Sequence, residues 1–134
     1  MDVILLDTNI VSFILKGDTR ASDYELHLKG RQLAISFMTV AELYQWAAVR
    51  KWGERRQDQL TQTLKVNYTV LSFDVRLCQI WGELRAERQS IGKPISSQDA
   101  WVAATARHYG LPLVTHNPKD FADISNLKII TTLE

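Results

Sequence analysis

Four carboxylates stand where short apolar runs give way to helical segments: Asp7, Glu42, Asp99 and Asp120. Asp7 directly follows Val3-Ile4-Leu5-Leu6, and Glu42 follows the run Leu33 to Ser36 in the first turn of the next helical segment. Asp99 opens an alanine-rich segment, and Asp120 comes just past Leu113-Val114-Thr115. Acids brought from distant segments to one low-dielectric rim raise one another's pKa values. A divalent cation removes that repulsion, and a donor set made only of oxygen selects magnesium or manganese over zinc. Such an ion lowers the pKa of a bound water and neutralises charge on a phosphoryl oxygen, which is the chemistry of phosphodiester hydrolysis.

Each acid also has a simpler role open to it. Asp7 can cap a helix. Thr39-Val40-Ala41-Glu42 reads as a capping box in which Glu42 bonds back to the backbone of Thr39, and Ser96-Ser97-Gln98-Asp99 resembles the same box. Asp120 can be a solvated turn residue. Taken one at a time, capping is the commoner role for Glu42 and Asp99. The joint placement of four acids favours an ion site, and a helix N-terminus that fixes a carboxylate serves both roles. Thr8, Asn9, Thr115 and Asn117 are the small polar neighbours able to hydrogen-bond these acids. Turn and cap chemistry accounts for them equally well.

The elements that must position these residues alternate. Val3–Leu6, Leu33–Ser36, Val70–Phe73, Leu113–Thr115 and Lys128–Thr131 are short, continuous apolar runs rich in β-branched residues. They predict strands buried on both faces, as in a parallel sheet. Between them, Ile10, Phe13 and Ile14 share one helical face, as do Val40, Leu43, Tyr44 and Ala47. Leu60 and Leu64 mark a weaker helix over Glu54 to Lys65, and Leu77, Ile80, Trp81 and Leu84 a longer one. The segment Asp99 to Tyr109 is apolar almost all round, which predicts a central helix, ended by Gly110 and Pro112. The alternation specifies an α/β fold with right-handed crossovers, and an open parallel sheet places its site beyond the carboxyl ends of the strands.

With 134 residues the chain fits one domain, residues 1–134, and 46% hydrophobic residues supply a core. No apolar run approaches the roughly 18 residues of a membrane span. The start Met-Asp-Val-Ile lacks the basic region of a secretion signal. The single cysteine, Cys78, excludes an internal disulfide and fits a reducing cytoplasm. A formal charge of +1 is not by itself a nucleic-acid signature, but acids gathered in one site leave the remaining surface more basic. Arg85, Arg88, Lys93 and Lys119 are available to meet a phosphate backbone, while Arg50, Lys51, Arg55 and Arg56 form a separate cluster that more often means a solvated face. Trp46 and Trp52 are the better tryptophan candidates for a partner groove. His27, His108 and His116 lack metal-ligand or triad spacing.

Four stretches resemble the PIN domain, and specifically the VapC-type toxins of prokaryotic toxin–antitoxin pairs. They are Leu6-Asp7-Thr8-Asn9, then Ser36 to Leu43, Ile95 to Ala106, and Leu113 to Phe121, in the family's order and covering the chain nearly end to end. The resemblance implies a three-layer fold with a five-stranded parallel sheet flanked by helices. It also implies a magnesium- or manganese-dependent endoribonuclease, a homodimer and an antitoxin partner. The family's first three acids fall on Asp7, Glu42 and Asp99. Asp7 and Asp99 are the expected direct metal ligands, with Glu42 completing the shell through water or orienting the nucleophile. The fourth position is divided between Asn117 and Asp120, and Asp120 is favoured on charge. A DNA nuclease with the same metal site and a non-catalytic partner-binding domain are the alternatives, and the intact acids argue against the second.

Overall fold

The computed structural model describes residues 2–133. Its strands are β1 (Val3–Leu6), β2 (Gln32–Ser36), β3 (Thr69–Leu71), β4 (Leu113–Val114) and β5 (Ile129–Ile130). They form one five-stranded sheet in the order β3-β2-β1-β4-β5, and every pairing is parallel. The helices are α1 (Thr8–Lys16), α2 (Glu25–Leu28), α3 (Phe37–Val49), α4 (Glu54–Asn67), α5 (Val75–Ser90) and α6 (Ser97–Tyr109). Among the described residues no helix is long and apolar enough to cross a membrane.

Alternation along the strands builds two cores. Ile4, Leu6, Ile35 and Val114 face one side and meet Ile10 and Val11 of α1, Leu43 and Ala47 of α3, and Leu60 and Leu64 of α4. Leu5, Ala34 and Leu113 face the other, against Leu84 of α5 and Ala100, Ala103 and Ala106 of α6. The expected three-layer arrangement is therefore present, and α6 is its central helix, with Val102 to Ala106 all buried. Gly110 ends α6 with φ of 66°, where a side chain would strain the backbone, and its N–H turns back to the carbonyls of Ala106 and Arg107.

The edges depart from the expectation. β3 lies over 69–71 rather than 70–73, β4 stops at Val114, β5 covers only 129–130, and β2 starts one residue early. Neither β3 nor β5 is buried on both faces; Val70 is 45% exposed and Ile129 and Ile130 are half-buried. Each has a neighbour on one side only, so an apolar run at an edge buries less than the same run in the middle.

The chain runs outward from β1 to β2 and β3, then returns to lay β4 on the other side of β1. The switch point lies between β1 and β4, where ligands bind in open parallel sheets. Asp7 and Thr115 stand side by side there, with the Asp7 N–H donating to the carbonyl of Val114 at 2.9 Å.

Candidate functional site

At this switch point a cleft of about 450 Å³ opens between α1, α3 and the start of α6. Asp7, Glu42 and Asp99 line it. Asp7 has extended backbone and caps α1 through its own Oδ1, which accepts from the Thr8 N–H at 2.8 Å. Its other oxygen, Oδ2, accepts from the Thr115 hydroxyl at 2.7 Å. The Thr115 oxygen in turn accepts from the Asn117 N–H at 3.0 Å, so the segment after β4 is tied to the carboxylate after β1. Burial pushes the Asp7 carboxyl up to about 6; the bonds from Thr115 and Thr8 oppose the rise, and the nearby charges of Asp99 and Glu42 add to it.

Glu42 does not take the simpler role of capping its helix. Ser36 is the N-cap of α3, with its hydroxyl accepting from the Thr39 N–H at 3.1 Å, so Glu42 falls in the second turn rather than the first. Its Oε1 instead accepts from the Thr8 hydroxyl at 2.8 Å. Burial raises the Glu42 pKa against that bond, and Asp99 raises it further. Asp99 lies in the first turn of α6, where its N–H donates to the Ser96 hydroxyl at 3.1 Å, which is one half of the expected capping box. Burial, then the charge of Asp120, raises the Asp99 pKa.

Both candidates for the fourth position are exposed at the edge of the site: Asn117 lines the cleft, and Asp120, on a 3-10 turn, Pro118–Phe121, acts through its charge on Asp99. The turn starts immediately after Asn117. Of the small polar residues, Thr8, Asn9 and Asn117 line the cleft, and Thr115 lies buried behind Asp7.

A hard divalent cation fits this donor set. The groups facing the cleft near Asp7 are carboxylates, hydroxyls and amides, and Asn9 Oδ1 is buried with no hydrogen-bond partner. Among the described residues, however, no three His, Cys, Asp or Glu side chains stand together as a ready-made cage. One or two carboxylates with the rest of the shell left to water and substrate oxygen is the magnesium pattern, not that of a closed structural site.

Among the described residues three further polar side chains line the cleft that sequence reasoning did not single out. On α1 Ser12 follows Asn9 by three and Lys16 follows Ser12 by four, and on α3 Gln45 follows Glu42 by three. That shared periodicity is the signal that would have found them. Among the described residues Lys16 is the one cation lining the cleft, and its ammonium sits 4.8 Å from the ring centre of Trp46.

Other candidates fall elsewhere. His116 is turned away from the cleft, with Nδ1 at 2.6 Å from the Tyr24 hydroxyl and its ring edge-on to Phe13. Arg88 is 6% exposed and donates to the carbonyls of Lys93, Asp120 and Ala122. Arg85 lies over Trp81, and Lys93 pairs with Asp123. Arg85 and Arg88 belong to α5, which packs against α6, and Lys93 follows that helix; the cleft lining includes none of the three.

Comparison with known proteins accords with the geometry. Residues 4–127 match the PIN domain. The chain is 31% identical over 124 residues to ribonuclease VapC2 of Haemophilus influenzae, covering 92% of this chain and 93% of that protein. It is 29% identical over 124 residues to the tRNA(fMet)-specific endonuclease VapC of Shigella flexneri, with the same two coverages, 92% and 93%. It superposes on VapBC2 of Rickettsia felis bound to a promoter DNA fragment with a TM-score of 0.82 and 30% identity, covering 96% of this chain and 98% of that one.

Proposed function

The chain belongs to the PIN domain family, and from that premise we propose that it is the endoribonuclease toxin of a toxin–antitoxin pair, cutting RNA with magnesium held by Asp7 and Asp99. One observation carries the reading: Asp7, Glu42 and Asp99, from three distant segments, line one cleft at the sheet's switch point with oxygen donors around them. Manganese, with the same hard oxygen preference, is a substitute. The match over residues 4–127 supports a single domain spanning 1–134. The relatives whose names or structures pair VapC with VapB support a cognate antitoxin partner, and a homodimer and a cytoplasmic site of action complete the reading.

The residues divide the work by position. Asp7 is immobilised by two hydrogen bonds, one to each oxygen, and each oxygen keeps a lone pair for an ion. Asp99 is fixed from its backbone by the Ser96 cap and leans in from α6. A divalent cation bound here would supply a water of lowered pKa and neutralise charge on the phosphoryl oxygen. Glu42 is held by Thr8 with one oxygen bonded and the other left to accept a proton or orient a water. Asn117 offers an amide to the same cleft.

The test is cleavage of matched RNA and DNA oligonucleotides in magnesium, in manganese and in excess EDTA. RNA cut only with metal, DNA left intact, and no cutting by Asp7→Asn or Asp99→Asn is the expected result. RNA cleavage that persists in EDTA overturns the metal assignment, and cleavage of DNA alone overturns the substrate.

A further inference from the structure

We propose that Lys16, Arg50 and Arg56, each laid against Trp46 or Trp52, form a track that holds the phosphodiester backbone of single-stranded RNA where it leaves the acid cleft. The proposal rests on the ribonuclease reading and adds where the substrate lies. Lys16 Nζ is 4.8 Å from the ring centre of Trp46, and Arg50 Cζ is 5.3 Å from the same ring. Arg56 Cζ is 3.9 Å from the ring centre of Trp52, and the two indoles meet edge to face at 5.0 Å. These five residues and Leu15 line a groove of about 500 Å³. Lys16 and Trp46 line both this groove and the acid cleft, so the two adjoin.

Charge identifies the occupant. Among the described residues the groove is lined by three cations and no carboxylate. Among the described residues, none of Lys16, Arg50 and Arg56 is paired with an acid, whereas Arg20, Lys93 and Arg107 each are. Arg56 also stands in the first turn of α4, against the positive end of the helix dipole, so helix stability does not account for it. The indoles do. A ring face attracts a cation and restricts a long side chain, and the ordering of Arg50 and Arg56 is then complete before an anion arrives. A run of fixed, unpaired cations leading from a phosphodiesterase site matches the repeating charge of a nucleic-acid backbone. Arg55 is the internal control. It is on the same helix but lines a different groove, beside Glu54 and Asp58.

The test measures binding of a labelled single-stranded RNA of about a dozen nucleotides, in EDTA at several salt concentrations, and cleavage in magnesium. The double variant R50Q/R56Q is expected to bind about tenfold more weakly, with the salt slope reduced by about 1.4, about 0.7 for each phosphate no longer neutralised. Its melting temperature should be unchanged and its cleavage should fall through KM with kcat retained. Trp52→Leu, with all cations present, should weaken binding by a smaller factor, and Arg55→Gln should not weaken it. Unaltered RNA affinity and salt slope in R50Q/R56Q, while that variant still cuts RNA, overturns the track and leaves the ribonuclease reading standing. Unaltered RNA affinity with lost binding of the antitoxin assigns the groove to a protein and also overturns it. If the unsubstituted chain cuts no RNA in either metal, the underlying reading fails and the track falls with it.

Discussion

Thr8 Oγ1 donates to Glu42 Oε1 at 2.8 Å, joining the first residue of α1 to the second turn of α3. Thr8 has one hydroxyl proton, so the contact at 2.9 Å between Thr8 and Thr39 must have Thr39 as its donor. Ser36 then donates to Thr39 at 3.4 Å, and a directed chain of hydroxyls ends on the carboxylate. This holds Glu42 in the cleft and leaves it no part in capping. Glu42→Gln still accepts from Thr8 and removes only the charge and the basicity. Cleavage is expected to fall by about two orders of magnitude, with the melting temperature unchanged or slightly raised, because burial already disfavours the charge. Full activity in this variant would leave Glu42 without a catalytic part.

The buried Asp7 carboxyl makes the metal-free protein sensitive to pH. Its pKa is about 6 folded against 3.8 as a free side chain, so between these values the folded state holds more protons than the unfolded. Stability therefore declines as pH rises from about 4 to about 6, by about 2–3 kcal/mol, and then levels off. Glu42 and Asp99, pushed in the same direction, add to the decline. Urea melts in EDTA across this range should show the fall, and Asp7→Asn should flatten it while raising stability at pH 7.5. Magnesium should stabilise the unsubstituted chain at that pH and not the variant. A metal-free stability that climbs over the same pH range would contradict the burial of the charge.

Asn117 and Asp120 separate by placement. Asn117→Ala removes an amide from the cleft and should lower cleavage several-fold or more. Asp120→Asn alters an exposed residue and should leave kcat in the plateau nearly unchanged. It also removes a charge that raises the Asp99 pKa, so the acidic limb of the pH–rate profile should move to lower pH. A collapse of activity in Asp120→Asn at neutral pH, with Asn117→Ala active, would restore the aspartate to the site.

Much of this architecture is written in local patterns, and the departures share one cause. Val3–Leu6 and the alanine-rich face of α6 are long enough signals to specify a central strand and a central helix, and Asp7 and Asp99 follow from them. The start of α3 is ambiguous in the sequence because Ser36 and Thr39 are both plausible N-caps, and only tertiary contact with Thr8 decides where Glu42 points. Asp120 outranks Asn117 in the sequence because charge is visible there and the direction of a 3-10 turn is not. Lys16 and the Trp46–Trp52 pair depend on how α1, α3 and α4 pack together, which spacing within one helix does not contain.

Arg88 supplies the last prediction, because its residue type and its role diverge. In the sequence Arg88 stands with Arg85, Lys93 and Lys119 among the cations available to meet a phosphate backbone. The structure buries its guanidinium and directs it at three carbonyls, with Nε to Lys93 at 2.7 Å and Nη1 to Ala122 at 2.9 Å and Asp120 at 3.3 Å. It thereby clamps the segment after β4 to the end of α5. Arg88→Met keeps most of the volume and leaves those carbonyls without donors. Loss of a charged donor network of this kind costs about 3 kcal/mol, read by chemical denaturation. Arg88→Lys should recover part of that, since an ammonium has donors but not the planar spread to reach both sides of the clamp. Cleavage should fall at temperatures where Arg88→Met is still folded, because Thr115 and Asn117 belong to the segment it loosens. The salt dependence of RNA binding should not change. A variant as stable as the unsubstituted chain, with a shallower salt slope, would make Arg88 a backbone contact after all and remove the clamp.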